Sequence, residues 1–150
     1  MPGGSASAWP GRAAAGVVGP LWDDGAVPLR VGIDLVRVST VADAVAEHGE
    51  RYLRRVYTDG ELADCGGAGA PDLLRLAARF AAKEAALKAL RAGDAAVPWT
   101  AVEVVRTADG APELALHGAA EALARAAGIA ELAVSLTHEP EYASAVVVAR

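Results

Sequence analysis

The segment from Pro71 to about Leu90 constrains the fold of this 150-residue chain more than any other part of it. Pro71 and Asp72 suit the opening of a helix, and Gly93 lies just beyond its end. Between them Leu73, Leu76, Ala77, Phe80, Ala81 and Leu87 recur at helical spacing, so one face of a long helix must be covered. Hydrophobic residues make up 53% of the chain but aromatics only 5%, with a single Phe. The covering layer is therefore mostly Ala, Val and Leu, and small side chains bring packed elements close together. The length gives one domain as the prior.

The remaining elements fall around that helix. Residues 1–28 are rich in Gly, Ala, Pro and Ser without sustained periodicity, and they read as a flexible N-terminal extension in which Trp9 and Trp22 are the groups able to pack. Residues 29–150 read as the folded domain. Leu29 to Val36 suits a strand. Thr40 to Ala46 reads as a helix capped by Ser39 or Thr40, and Arg51 to Val56 as a second short one. Thr58 and Glu61 form a capping-box pattern for a third. A Gly-rich loop spans residues 66–69. After the long helix, Val102 to Arg106 and Glu113 to His117 form a hairpin through Ala108-Asp109-Gly110. Gly118 to Ala127 is an Ala-rich helix ending at Gly128, and Leu132 to Thr137 and Tyr142 to Ala149 are strands joined by His138-Glu139-Pro140-Glu141. Helices and strands mix without regular βαβ alternation, which predicts an α+β fold, a mostly antiparallel sheet packed with one long helix and several short ones.

Charge and cysteine content exclude several function classes. The formal charge of −5 and pI of about 5.1 argue against nucleic acid as a partner. Within that acidic background Arg51, Arg54 and Arg55 cluster, with Arg37 upstream. Such a cluster is either a solvated helix face or a docking patch for an acidic partner. The single Cys65 rules out an internal disulfide or a multi-cysteine zinc site and reads as a bystander. No apolar run approaches the roughly 18–20 residues of a membrane span, and the N-terminus lacks the basic and apolar regions of a signal peptide. The expected location is the cytoplasm, with no membrane partner.

Two acids stand out. Asp34 interrupts the apolar run Gly32-Ile33-Asp34-Leu35-Val36, where a charge is costly without a partner. Glu84 leans toward the edge of the helix stripe, with Lys88 at i+4 and Arg91 at i+7. Glu84 and Lys88 fit an ordinary surface pair, worth roughly 0.3–0.5 kcal/mol. They equally fit a site where a strand carboxylate and a helix carboxylate hold a hard cation while Lys88 neutralises a phosphate. Mg²⁺ takes one or two carboxylates and fills an octahedron at about 2.0–2.1 Å with waters and substrate phosphates. Spacing leaves both readings open.

The segment Arg79-Phe80-Ala81-Ala82-Lys83-Glu84-Ala85-Ala86-Leu87-Lys88-Ala89-Leu90 resembles the R-[FW]-A-A-K-E-A-x-x-K-A-L signature of the holo-[acyl-carrier-protein] synthases, the small phosphopantetheinyl transferases. Gly32-Ile33-Asp34-Leu35-Val36 is similar to their G-x-D-[IL]-V. Gly49 to Thr58 followed by Glu61-Leu62 resembles their G-x-R-F-L-x-R-[IV]-[FY]-T-x-x-E-L. Val134-Ser135-Leu136-Thr137-His138 and Tyr142-Ala143-Ser144-Ala145 resemble V-S-[IL]-[ST]-H and Y-A-x-A. The four segments keep the family's order and cover nearly everything from residue 30 onward.

The resemblance implies transfer of the 4′-phosphopantetheine arm of coenzyme A to a serine of an apo acyl carrier protein, with release of adenosine 3′,5′-bisphosphate. It implies Asp34 and Glu84 as Mg²⁺ ligands, and Asp34, Glu84 and Lys88 as the catalytic set. Lys88, His138, Arg79, Lys83 and Gly93 are the implied coenzyme A contacts. It also implies an acidic carrier protein as partner and a homotrimer with sites at subunit interfaces, where His138 serves a neighbour. Glu84 is the first candidate to accept the serine proton and Glu139 the second. Two positions depart from the pattern. Thr40 stands where the family has a carrier-docking arginine, which leaves Arg51, Arg54, Arg55 and Arg37 for that task. Arg91-Ala92-Gly93-Asp94 replaces a Gly-Thr-Gly phosphate loop. These departures motivate one rival, a catalytically weak homologue acting as a carrier-binding or scaffold subunit. The other rival, a Mg²⁺-dependent hydrolase of the coenzyme A diphosphate, has no feature that favours it.

Overall fold

A computed structural model describes residues 29–66 and 69–150. The expectation of a flexible extension over residues 1–28, and the two tryptophans in it, lie outside the described residues, as do Gly67 and Ala68 of the Gly-rich loop. In chain order the elements are β1 (Arg30–Arg37), α1 (Val38–His48), α2 (Glu50–Val56), α3 (Asp59–Asp64), α4 (Leu73–Ala89), β2 (Val102–Arg106), β3 (Pro112–Leu116), α5 (Gly118–Ala126), β4 (Leu132–His138) and β5 (Tyr142–Ala149). A single 3₁₀ turn, Trp99–Ala101, precedes β2. The α+β class and the antiparallel pairing are as expected.

β5 is the centre of a three-stranded sheet in the order β1-β5-β4, with both neighbours antiparallel to it. β2 and β3 form a separate hairpin. Along β5 the pattern alternates strictly, with Ala143, Ala145, Val147 and Ala149 buried and the residues between them half-buried. α4 lies over the buried face. Its own stripe is Ala77, Ala81, Ala82, Ala85, Ala86 and Ala89, all without exposed surface. A helix faced with methyl groups approaches a sheet more closely than one faced with leucines, and Gly32 of β1 is what that approach requires. A Cβ there would overlap the Ala85 carbonyl oxygen and come within 2.8 Å of the Ala89 nitrogen.

Local signals explain the helix ends. Thr58 accepts from the Glu61 amide while Glu61 accepts from the Thr58 amide, the complete capping box of α3. Asp72 caps α4 by accepting from the Arg75 amide at 3.1 Å. α1 corrects the sequence expectation. It begins at Val38, with no side-chain cap, because the Val38 amide is satisfied by the Glu141 carbonyl at 2.9 Å. A partner distant in sequence replaces the hydroxyl of Ser39 or Thr40, and nothing local signals it.

α4 and α5 terminate in the same way. In α5 the Gly128 amide donates to Arg125 O and the Ile129 amide to Ala124 O, with Gly128 at φ +69°. In α4 the Arg91 amide donates to Lys88 O and the Ala92 amide to Leu87 O, with Arg91 at φ +55°. Arg91 is the only described non-glycine residue with positive φ. The left-handed conformation costs a residue with a Cβ roughly 1 kcal/mol or more.

The sheet face turned away from α4 is unusual. On β1, Val31, Ile33 and Leu35 are 60%, 60% and 66% exposed and form one apolar row.

Candidate active site

Because side chains alternate along β1, Asp34 shares the α4-facing side with Gly32 and Val36. The close contact at Gly32 sets α4 so that Lys88 crosses to Asp34. Lys88 Nζ lies 2.7 Å from Asp34 Oδ1 and donates to the Ile33 carbonyl at 3.0 Å. The Asp34 carbonyl in turn accepts from Ser144 Oγ at 2.7 Å, which fixes β1 against β5 at this point. Lys88 therefore pairs with the strand acid, and the ordinary Glu84–Lys88 helix pair does not form.

Glu84 sits one turn earlier on the same flank, without an ion-pair partner among the described residues. Its carboxyl is pushed above the usual carboxylate range, first by partial burial and second by the Asp34 charge, with Lys88 opposing. A carboxyl whose proton affinity is raised by a neighbouring carboxylate sits in a place short of positive charge. Among the described residues there is no cluster of three or more His, Cys, Asp or Glu side chains, so Asp34 and Glu84 are all the protein offers a cation here. Two hard oxygen ligands with an open side suit Mg²⁺ completed by phosphate and water, and suit zinc poorly. Beside them is a cavity of about 610 Å³ whose lining includes Glu84, Leu87, Lys88, Arg91, Gly93, Val97 and Trp99.

Arg79 and His138 are elsewhere. Residues 79 and 84 are five apart, which places them about 140° apart around the helix axis. Arg79 projects toward the β4 side and joins Arg75, Arg106 and His138 around a cavity of about 290 Å³. Arg79 is almost fully buried. One terminal nitrogen meets Asp64 at 3.2 Å, whereas its Nε is buried without a partner. Four basic side chains and an unsatisfied guanidinium nitrogen make this a candidate anion site, although Arg75 and Arg79 already meet Asp72 and Asp64. Sequence reasoning selected Arg79 and His138 but missed Arg75 and Arg106. The i, i+4 spacing of Arg75 and Arg79 was the available signal.

Lys83 corrects its expectation as a coenzyme A contact. Its ammonium has no exposed surface and lies 2.7 Å from Glu61, also fully buried. It donates further to the carbonyls of Trp99 and Val102, while Glu61 accepts from the amides of Thr58 and Val104. Burial lowers the Lys83 pKa and the Glu61 charge opposes that shift. Lys83 thus ties α4 to α3 and β2. Glu61, read from sequence only as a cap, is the other half of that tie.

A third cavity, of about 540 Å³, adjoins the first across the Phe80–Trp99 ring pair, whose centroids are 5.0 Å apart. His48, Arg51, Tyr52 and Arg55 line it, and Trp99 lines both. Arg54 points away and pairs with Glu50 at 2.7 Å. Thr40 is exposed on α1, and Glu139 lies in the β4–β5 turn, where its amide bonds to the Tyr142 carbonyl.

These features match known proteins in sequence and in shape. The family model of the 4′-phosphopantetheinyl transferase superfamily matches residues 30–146. A holo-[acyl-carrier-protein] synthase of Chloroflexus aurantiacus is 47% identical over 130 residues, covering 79% of this chain and 95% of that protein. One from Moorella thermoacetica is 42% identical over 118 residues, covering 79% and 91%. Among solved structures, the Helicobacter pylori holo-[acyl-carrier-protein] synthase in complex with coenzyme A superposes with a TM-score of 0.70 at 26% identity, covering 80% of this chain and 99% of that one. The Neisseria meningitidis synthase gives 0.71 at 28% identity, covering 81% and 97%. Sequence motifs, fold and overall match agree, and the chain belongs to the 4′-phosphopantetheinyl transferase superfamily, in the family of holo-[acyl-carrier-protein] synthases.

Proposed function

We propose that this chain transfers the 4′-phosphopantetheine arm of coenzyme A to a serine of an apo acyl carrier protein in the cytoplasm, releasing adenosine 3′,5′-bisphosphate. The observation that carries the reading is the convergence of Asp34, Glu84 and Lys88 beside one open cavity, in a chain of this family. Asp34 and Glu84 are the proposed Mg²⁺ ligands. When bound there, the cation neutralises charge on the diphosphate and withdraws electron density from the phosphorus under attack.

The protein's own groups do the rest. Lys88 places a positive charge next to the diphosphate and, held by Asp34 and the Ile33 carbonyl, needs little reorganisation to do so. The carrier serine Oγ attacks the β-phosphorus, a P–O bond forms, and the bond to the bridging oxygen breaks as adenosine 3′,5′-bisphosphate departs. Glu84 is the proposed acceptor of the serine proton, on its place at the cavity beside Lys88. Positioning and charge neutralisation are the main demands of phosphoryl-type transfer, and these residues meet both. Glu139, in the β4–β5 turn, is the less favoured base.

The 3′-phosphate of the donor is assigned to the Arg75, Arg79, Arg106 and His138 cavity. That cavity and the Asp34–Glu84 pair lie on different flanks of α4, so each is read as half of a site completed by a neighbouring subunit. The exposed row of Val31, Ile33 and Leu35 supports burial of the outer sheet face in a homotrimer. Arg51 and Arg55, next to Tyr52 and Trp99, are the proposed contacts for the acidic carrier protein.

Incubation of the purified chain with coenzyme A, Mg²⁺ and apo carrier protein tests the reading. The carrier gains the mass of one phosphopantetheine and adenosine 3′,5′-bisphosphate appears in equal amount. No gain with any of several carriers would leave the carrier-binding scaffold reading standing, and release of free 4′-phosphopantetheine without carrier would indicate the hydrolase.

A further inference from the structure

The two helix ends closed by the same bonding pattern carry different residues at the position that must be left-handed. α5 uses Gly128, the residue that adopts positive φ without strain. α4 uses Arg91 at φ +55°, although Gly93 lies two residues away. A chain that resolves this turn with glycine in one place and accepts strain in another has something to gain from the side chain. Strained non-glycine residues cluster at ligand sites for this reason.

The surroundings of Arg91 identify the gain. Arg91 lines the 610 Å³ cavity together with Glu84 and Lys88. It takes part in no ion pair among the described residues, and Asp94, three residues on, does not engage it. Lys88, the other cation at this cavity, is committed to Asp34 and the Ile33 carbonyl. Among the described residues Arg91 is thus the one cation of this cavity without an ion-pair partner. A guanidinium presents paired donors that match two oxygens of a phosphate, which an ammonium cannot do. The alternative role, a cation favourably placed at the negative end of the α4 dipole, would be expressed only in stability.

We propose that Arg91 is a donor-binding residue that clamps the diphosphate of coenzyme A, doing with a side chain what the Gly-Thr-Gly loop at this place in the family pattern offers with backbone. The inference rests on the reading that Glu84 and Lys88 face that diphosphate. Arg91 does not carry the chemistry. Its contribution is to hold the donor, so its loss acts on affinity more than on turnover.

The experiment compares the full-length chain with Arg91→Gly, Arg91→Lys and, as references for the site itself, Lys88→Ala and Asp34→Asn. Each is titrated with coenzyme A in the presence of Mg²⁺ by calorimetry, and each is melted without ligand. Arg91→Gly is expected to melt higher than wild type, because the strain is gone, yet to bind coenzyme A about tenfold more weakly. Arg91→Lys is expected to regain part of the affinity and none of the extra melting temperature. Raised stability with unchanged affinity in Arg91→Gly, while Lys88→Ala and Asp34→Asn bind weakly, overturns the role of Arg91 and leaves the site intact. Wild-type affinity in Lys88→Ala and Asp34→Asn overturns the reading of the site, and the Arg91 proposal with it.

Discussion

Lys88 and Asp34 meet at 2.7 Å across the boundary between α4 and β1, with Lys88 52% and Asp34 16% exposed at the side chain. The pair joins the half of the site carried by the helix to the half carried by the strand. Exposed pairs contribute little to stability, about 0–1 kcal/mol, so its significance is positional. Lys88→Ala and Asp34→Asn should each lower kcat/KM at least a hundredfold while shifting Tm by no more than a few degrees. Steady-state transfer assays beside thermal melts check this. Rates near wild type in both would remove Asp34 and Lys88 from the chemistry.

Glu84 supplies a pH signature. Its folded-state pKa is raised above the ordinary value of 4.5, so the folded chain holds this proton more tightly than the unfolded chain does. The group therefore lowers stability as pH rises from 4.5 through the raised value, and does no harm below it. Without Mg²⁺, Glu84→Gln should melt above wild type at pH 7.5, and the gap should close on acidification to pH 4.5 or below. Adding Mg²⁺ at pH 7.5 should raise the wild-type Tm and leave Glu84→Gln nearly unmoved. Melts across that range with and without the cation settle both points.

The Lys83–Glu61 pair predicts the opposite balance of effects. Removing one partner of a fully buried pair strands the other, at about 3–5 kcal/mol. Lys83→Met alone should be severely destabilised, whereas Lys83→Met combined with Glu61→Leu should recover a measurable part of the loss in denaturant titrations. Coenzyme A affinity of whatever folds should stay near wild type, since the ammonium never reaches the surface.

The proposed division of the site between subunits has a consequence that mixing tests. Asp34→Asn lacks one half and the double variant Arg79→Gln/His138→Ala lacks the other, so each alone should be nearly inactive. Co-expressed in equal amounts, random assembly would regenerate complete sites at about a quarter of interfaces. Recovered transfer near that level supports the divided site. No recovery from mixed oligomers would return both cavities to a single chain.

Most of the architecture was legible because its signals are local. Pro71-Asp72, the Thr58–Glu61 box, Ala108-Asp109-Gly110 and Gly128 each mark an element end through bonds formed within a few residues. The start of α1 was not legible, since its first amide is satisfied by Glu141 from across the sheet. The site divides along the same line. Asp34 and Glu84 were visible as charges in apolar settings, but their relation to Lys88 depends on how α4 lies across β1. Lys83 was an implied coenzyme A contact because a motif says nothing about which way a helical side chain turns. The Arg75–Arg106 side of the anion cavity brings together residues about thirty positions apart, which no periodicity reports.

At Gly32 the backbones of β1 and α4 meet with no side chain between them. The separation of the two backbones that carry Asp34 and Glu84 is therefore a main-chain dimension, and it cannot be tuned by repacking side chains between them. Sequence drift in the core can adjust most distances in a protein by a methyl group at a time, whereas this one has only two settings, intact or broken. Any reshaping of the neighbouring cavity must therefore come from the rim around Arg91, Gly93 and Trp99.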